Sequence, residues 1–133
     1  MNYKTLAKRA LSARKFSHSP YSHFRVGAAV LTSSGKIFTG SNIESSSYSL
    51  TICAERTAIF KAVSEGYTKF VSIAIASDEK DFTPPCGACR QVIYELAGNI
   101  DVVFARKSGE IQVHKMQDLL PLAFTKKNLD RVK

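Results

Sequence analysis

The eight residues FVSIAIAS, Phe70 to Ser77, are apolar or small at odd and even positions alike. A strand with one wet face alternates apolar with polar, whereas a strand without that alternation is covered on both sides. This segment therefore predicts the middle of a sheet that lies between two layers. The question for the rest of the chain is what supplies those layers.

Upstream, Ile52 to Glu65 carries a helical pattern, and Gly66 stands where a helix end needs a left-handed residue. Before it, RVGAAVL (Arg25 to Leu31), the turn SSGK and the segment from Ile37 make residues 25–41 a β-hairpin. At the start of the chain, Tyr3, Leu6, Ala7, Ala10 and Ala13 recur at helical spacing and predict a helix from Tyr3 to Phe16. Downstream, DEKDFTPP is a loop whose prolines deliver Cys86 to the start of a helix running to about Leu96, stopped by Gly98 and Asn99. Asp101 to Ala105 is a strand, KSGE a turn, and Ile111 to His114 a last short strand. A short helix from Met116 and a tail past Pro121 complete the chain. The order is that of a three-layer α/β domain, a mixed sheet of about five strands covered by helices on both faces. Strands joined through helices should be parallel and the hairpin antiparallel. A chain of 133 residues is one domain's worth, so residues 1–133 are expected to form a single unit.

Charge and cysteine usage narrow the function. The net charge is +8, but no acidic residue precedes Glu44, while seven Lys or Arg do. The basic first third could attract a polyanion or be the solvated face of one helix. No interleaved aromatic platform accompanies it, which argues against nucleic acid. No apolar run approaches a membrane span, and MNYKTLAKRALSARKF lacks the apolar core of a secretory signal. That acid-free segment also fits a transit peptide, although its helical spacing favours a first helix. Three cysteines without a signal peptide point away from a disulfide framework and towards a reducing, cytoplasmic setting.

Their placement is the main clue. In PPCGACRQ, Cys86 and Cys89 are three apart at a helix N-terminus, where one face and the helix dipole favour two thiolates on one ion. Alone, that pair could be a redox couple, half of a structural zinc site, or two buried cysteines. TICAERTAIF, residues 51–60, adds Cys53 at a second helix start, with Thr51 where it could cap that helix. A reciprocal capping box would need an acid at position 54, where Ala54 stands. Three sulfurs fill three corners of a zinc tetrahedron and leave one open, as catalytic zinc sites do. His18, His23 and His114 have no ligand-like spacing to close it. Glu55, in the first turn beside a ligand, can reach the open corner and move a water's proton. Arg56 follows it, and Arg90 follows Cys89; either cation could offset the negative charge of three thiolates.

The pattern C-x-E followed by P-C-x-x-C resembles the zinc-dependent cytidine deaminase family, whose chemistry is known in general terms. The resemblance runs from about Leu6 to Phe124 through SPYSHFRVGAAV, TGSNIE, ICAERTAIFKAVSEG and PCGACRQVIYEL. It is greatest to the small homotetrameric enzymes that act on free nucleosides. It implies a cytidine deaminase-like fold, with Cys53, Cys86 and Cys89 as zinc ligands and Glu55 as proton shuttle. It further implies that Phe24 packs on the pyrimidine, that Asn42 and Glu44 bond the ribose hydroxyls, and that the backbone of Ala54 reads the base carbonyl. The carbonyl of Pro84 would lie near the leaving amine. Tyr48 and Phe124 would reach a neighbouring subunit's site. Two departures are Ser45, where the family commonly has Asn after N-x-E, and Pro84, where it commonly has Ser.

The implied reaction is hydrolytic conversion of cytidine and deoxycytidine to uridine and deoxyuridine with release of ammonia, a step of pyrimidine salvage. Alternatives are a deaminase of a nucleoside antibiotic such as blasticidin S, a polynucleotide editor, and a structural zinc module that binds nucleic acid. The N-x-E element favours ordinary nucleosides, and no membrane partner is expected.

Overall fold

The computed structural model describes residues 2–130. In chain order the elements are α1 (Tyr3–Ala13), β1 (Val26–Thr32), β2 (Ile37–Ser41), α2 (Ala54–Ser64), β3 (Phe70–Ser77), α3 (Gly87–Ala97), β4 (Asp101–Ala105), β5 (Ile111–Lys115), α4 (Met116–Leu119) and α5 (Lys126–Asp130). One five-stranded sheet has the order β2-β1-β3-β4-β5. β1 is antiparallel to both β2 and β3, β3 is parallel to β4 across α3, and β4 is antiparallel to β5.

β3 is the central strand, as its lack of alternation requires. Ile73 and Ile75 face a cluster with Ala58, Ile59 and Ile93 of α2 and α3, while Ala74 and Ala76 face Leu6, Ala7 and Ala10 of α1. All are essentially inaccessible to solvent. The two faces differ in side-chain size: isoleucines and Phe104 meet the α2 and α3 layer, and mostly alanines meet α1. Small residues let α1 lie close on the sheet, and at Gly27 the approach is closest. A Cβ there would stand 2.0 Å from the carbonyl oxygen of Ala10.

Gly40 does the same for α2, since a Cβ would fall 2.5 Å from the nitrogen of Ala58 and 2.6 Å from the oxygen of Ala54. The first turn of α2 is thereby seated directly on β2. Gly66 follows α2 with φ +96, the left-handed end that the sequence calls for.

Helix boundaries depart from expectation for identifiable reasons. α2 begins at Ala54, not Ile52, because the Ile52 N–H and carbonyl are both paired with Ile43, at 3.0 and 2.9 Å. That bridge holds Ile52 extended and makes Cys53 the N-cap residue. Thr51 therefore caps nothing; its hydroxyl accepts the Ser45 N–H at 3.0 Å. α1 ends at Ala13, and Arg14–Phe16 continue as a 3-10 turn. The tail beyond Pro121 contains α5, begun by Thr125, whose N–H donates to Asn128 Oδ1 at 2.8 Å.

The seat of α2 can be tested by Gly40→Ala, which should lower the unfolding free energy by about 3 kcal/mol through backbone overlap. Gly35→Ala, at φ +92 with nothing within 4 Å, should cost about 1 kcal/mol of backbone strain alone. Urea midpoints of the two variants check the ranking.

Candidate active site

The site follows from strand direction. β2 and β3 are both antiparallel to β1, so they run the same way and their following loops leave at one edge of the sheet. Each loop feeds a helix on the same face, α2 after β2 and α3 after β3. The two helix N-termini thus meet outside the carboxyl ends of the strands, where open α/β sheets place their ligands.

A cysteine occupies the N-cap position of each helix. Cys53 and Cys86 are both extended N-cap residues, and Cys86 Sγ accepts the Cys89 N–H at 3.5 Å. The three sulfurs lie within 4.8 Å of one another, and Cys53 and Cys86 are 3.8 Å apart. A tetrahedron with zinc–sulfur bonds of ~2.3 Å has edges of about 3.8 Å. The donor set and its spacing therefore fit zinc, with a fourth corner left for another ligand. No histidine or carboxylate joins this cluster among the described residues.

The electrostatics suit a thiolate centre. Arg56 Nη2 donates to Cys53 Sγ at 3.4 Å, and its Nε is buried with no partner among the described residues. Hydrogen bonding from Cys89, aided by Arg56, pulls the Cys53 thiol down to about 5. Cys89 is pushed up, first by that same bond and then by burial. A bound dication would drive both towards thiolate. Glu55 is 4 % exposed, and burial pushes its carboxyl up to about 7, with Cys53 adding to the effect.

A cavity of about 240 Å³ opens over this centre. Cys53, Ala54, Glu55, Cys86, Phe24 and Asn42 line it, with Thr83 and Pro84 on the far wall. A second cavity, of about 330 Å³, is lined by Glu44, Tyr48, Tyr21 and Ser22 and shares Thr51 with the first. The sequence-derived residues are thus brought to one place, except Phe124. That ring is 56 % exposed, and its carbonyl accepts from Gln91 Nε2 at 2.8 Å. Cys89 lies buried behind the cavity wall.

Several polar groups have partners that spacing could not reveal. Asn42 Oδ1 accepts the Val26 N–H at 2.9 Å and the Ser17 hydroxyl, while Nδ2 donates to the Phe24 carbonyl at 2.8 Å. The second amide N–H of Asn42 has no such bond among the described residues. Glu44 Oε1 accepts the N–H groups of Tyr21 and Ser22 at 3.0 and 3.1 Å, and Oε2 accepts the Ser22 hydroxyl. These donors hold its carboxyl below the usual range, the Ser22 hydroxyl first among them. Arg90 does not approach the sulfurs through its polar bonds: Nε donates to Pro85 O at 2.9 Å and Nη1 to Leu119 O at 2.8 Å. Thr51 and Thr83 also line the cavity, and nothing in their sequence context marks them for it.

An α/β domain with a three-cysteine metal centre and a buried acid in one cavity defines a class of metal-dependent hydrolytic enzyme. The model for the cytidine and deoxycytidylate deaminase zinc-binding region matches residues 1–106, and the chain belongs to that family. It is 52% identical over 133 residues to a probable cytidine deaminase of Dictyostelium discoideum, covering 97% of this chain and 90% of the relative. With a cytidine deaminase of Halalkalibacterium halodurans it shares 47% over 131 residues, covering 98% and 99%. A crystal structure of cytidine deaminase from Burkholderia pseudomallei superposes with TM-score 0.90 at 44% identity, covering 93% of this chain and all of that one. Zinc is accordingly the cofactor, and the cysteine cluster is where this chain could hold it.

Because Arg90 bridges two carbonyls rather than the metal centre, Arg90→Met should destabilise the fold by about 2 kcal/mol. Its zinc content per folded chain should match wild type. Thermal melting and metal analysis check both.

Proposed function

We propose that the chain hydrolyses cytidine and deoxycytidine to uridine and deoxyuridine, releasing ammonia, with Glu55 as the proton shuttle. The observation that carries this reading is a carboxyl 4 % exposed that shares a cavity with two of three converging cysteine sulfurs. Cys53, Cys86 and Cys89 would hold zinc, which when bound supplies a water acidic enough to act as nucleophile near neutral pH.

The chain's own groups do the rest. Glu55 accepts a proton from the attacking water as its oxygen bonds to C4 of the cytosine ring, and delivers that proton to N3. The C4 centre becomes tetrahedral. Glu55 then passes the water's second proton to the exocyclic amine, the C–N bond breaks, ammonia leaves and the C4 carbonyl forms. Burial suits Glu55 to both halves, since it keeps the protonated and ionised forms close in energy. Arg56 offsets the negative charge of the thiolates.

Around the base, Phe24 packs on the ring, the Ala54 N–H, unpaired among the described residues at the start of α2, reads the base carbonyl, and the Pro84 carbonyl receives the amine. Glu44 retains acceptor capacity for ribose hydroxyls, and the spare N–H of Asn42 is its one donor towards the sugar. Tyr48 and Phe124 complete a neighbouring subunit's site in a homotetramer. Their exposure, 76 % and 56 %, together with exposed Leu50 and Phe60, supports apolar contacts between copies. Three unpaired cysteines suit a reducing cytoplasm, where the reaction would serve pyrimidine salvage.

Loss of ultraviolet absorbance with cytidine or deoxycytidine tests the reading. Glu55→Gln should keep its zinc and lose about 10³-fold in turnover. No absorbance change with either nucleoside would refute the assignment, and a change with blasticidin S alone would favour the antibiotic deaminase. Arg56→Ala is expected to lose about tenfold in zinc affinity or turnover. Unchanged zinc stoichiometry and rate would remove the charge-balancing role.

A further inference from the structure

The peptide unit between Phe24 and Arg25 is gripped from both sides by groups of other elements. Its carbonyl accepts from Asn42 Nδ2 at 2.8 Å, and its N–H donates to Asp78 Oδ2 at 3.1 Å. Asp78 lies outside the cavity lining, and it is the more elaborately built of the two anchors. Arg25 Nε and Nη2 form a two-pronged pair with it, each bond 3.0 Å, and Arg14 Nη1 reaches Oδ1 at 3.0 Å. Arg14 also donates to Ser77 O at 3.2 Å and to Leu11 O at 3.0 Å, so the end of α1 is fixed to the end of β3.

The register explains why an aspartate is needed there. Val26 pairs with Ser77 in the β1–β3 ladder, and Arg25 and Asp78 are the next residues outward. At that step a side-chain oxygen takes the place of a backbone carbonyl and receives the Arg25 N–H. One residue further out, Phe24 turns into the cavity wall. The residue before it, His23, sits at φ +56, a left-handed conformation that strains a non-glycine residue. A strained turn persists when its surroundings over-determine it, and the Asn42 and Asp78 bonds do so here.

The geometry points to Asp78 as a positioning residue that, with Arg14 and Arg25, sets the orientation of Phe24 and so the affinity of the cavity for its nucleoside. The inference rests on the cytidine reading and adds a determinant that lies outside the lining of both cavities described above. It separates binding from chemistry. The sulfurs and Glu55 are held by α2 and α3, and although Asp78 opens the loop that leads to Cys86, the rest of that loop has anchors of its own. Arg106 pairs with Asp81, Thr83 donates to Glu79 Oε2 at 3.0 Å, and Arg90 holds Pro85 O. Loss of Asp78 should therefore loosen Phe24 and leave the metal centre in place.

The Arg25 partnership holds the Asp78 carboxyl below its ordinary range, so it is charged at neutral pH. Asp78→Asn removes that charge and turns an amide N–H₂ towards guanidinium groups. It should raise KM for cytidine about tenfold, with kcat within about twofold and zinc content unchanged, measured below the variant's melting temperature. In a Phe24→Ala background the same change should add less than about twofold, because Asp78 acts through that ring. Arg25→Met, at a side chain 49% exposed, carries the test if Asp78→Asn fails to fold, with a rise of about threefold expected. An unchanged KM in both variants, or an equal rise with and without Phe24, overturns the inference while the cytidine reading stands. A wild type without deaminase activity overturns both.

Discussion

Everything at the site depends on one constraint: β2 and β3 run in the same direction because β1 lies antiparallel between them. Two loops must then leave at the same sheet edge, and the helices that follow must begin side by side. Cysteines at both N-cap positions turn that meeting of positive helix ends into a cradle for thiolates. The spacing of the sulfurs is set by how α2 and α3 sit on the sheet. Gly40, which lets the first turn of α2 rest on β2, belongs to the same device although it lies outside the cavity lining.

Around this centre the fold uses its polar residues twice. Asn42 and Glu44 sit beside cavities, yet most of their hydrogen-bonding capacity is spent on the chain itself, on the Phe24–Val26 segment and the Tyr21–Ser22 turn. Side chains held by several hydrogen bonds at once do not swing, and a wall held in this way presents one geometry to a ligand. Arg56 and Arg90 illustrate the opposite lesson for cations. Each follows a cysteine or an acid of the motif, but only Arg56 bonds to a sulfur; Arg90 joins the loop before Cys86 to the end of α4.

Much of this was legible in the sequence because it rests on local pattern. FVSIAIAS announces a strand covered on both faces, Gly66 marks a helix end, and C-x-E with P-C-x-x-C carries the metal chemistry within a few residues. What was hidden depends on pairings between distant segments. Thr51 looks like a helix cap until Ile43 pairs with Ile52 and moves the helix start to Ala54. Asp78 looks like a loop acid until the β1–β3 register sets it opposite Arg25. α5 has no sequence signal because its start is a local Thr125–Asn128 exchange in a polar tail without hydrophobic period.

If this cavity delivers water to C4 of a cytosine ring, the new carbonyl oxygen of the product comes from solvent. Incubating the zinc-loaded protein with cytidine in heavy-oxygen water, and weighing the product by mass spectrometry, tests it most directly. Uridine carrying one heavy oxygen, formed in step with one ammonia, is the expected product. Uridine without the label, or ammonia release without uridine, would contradict it.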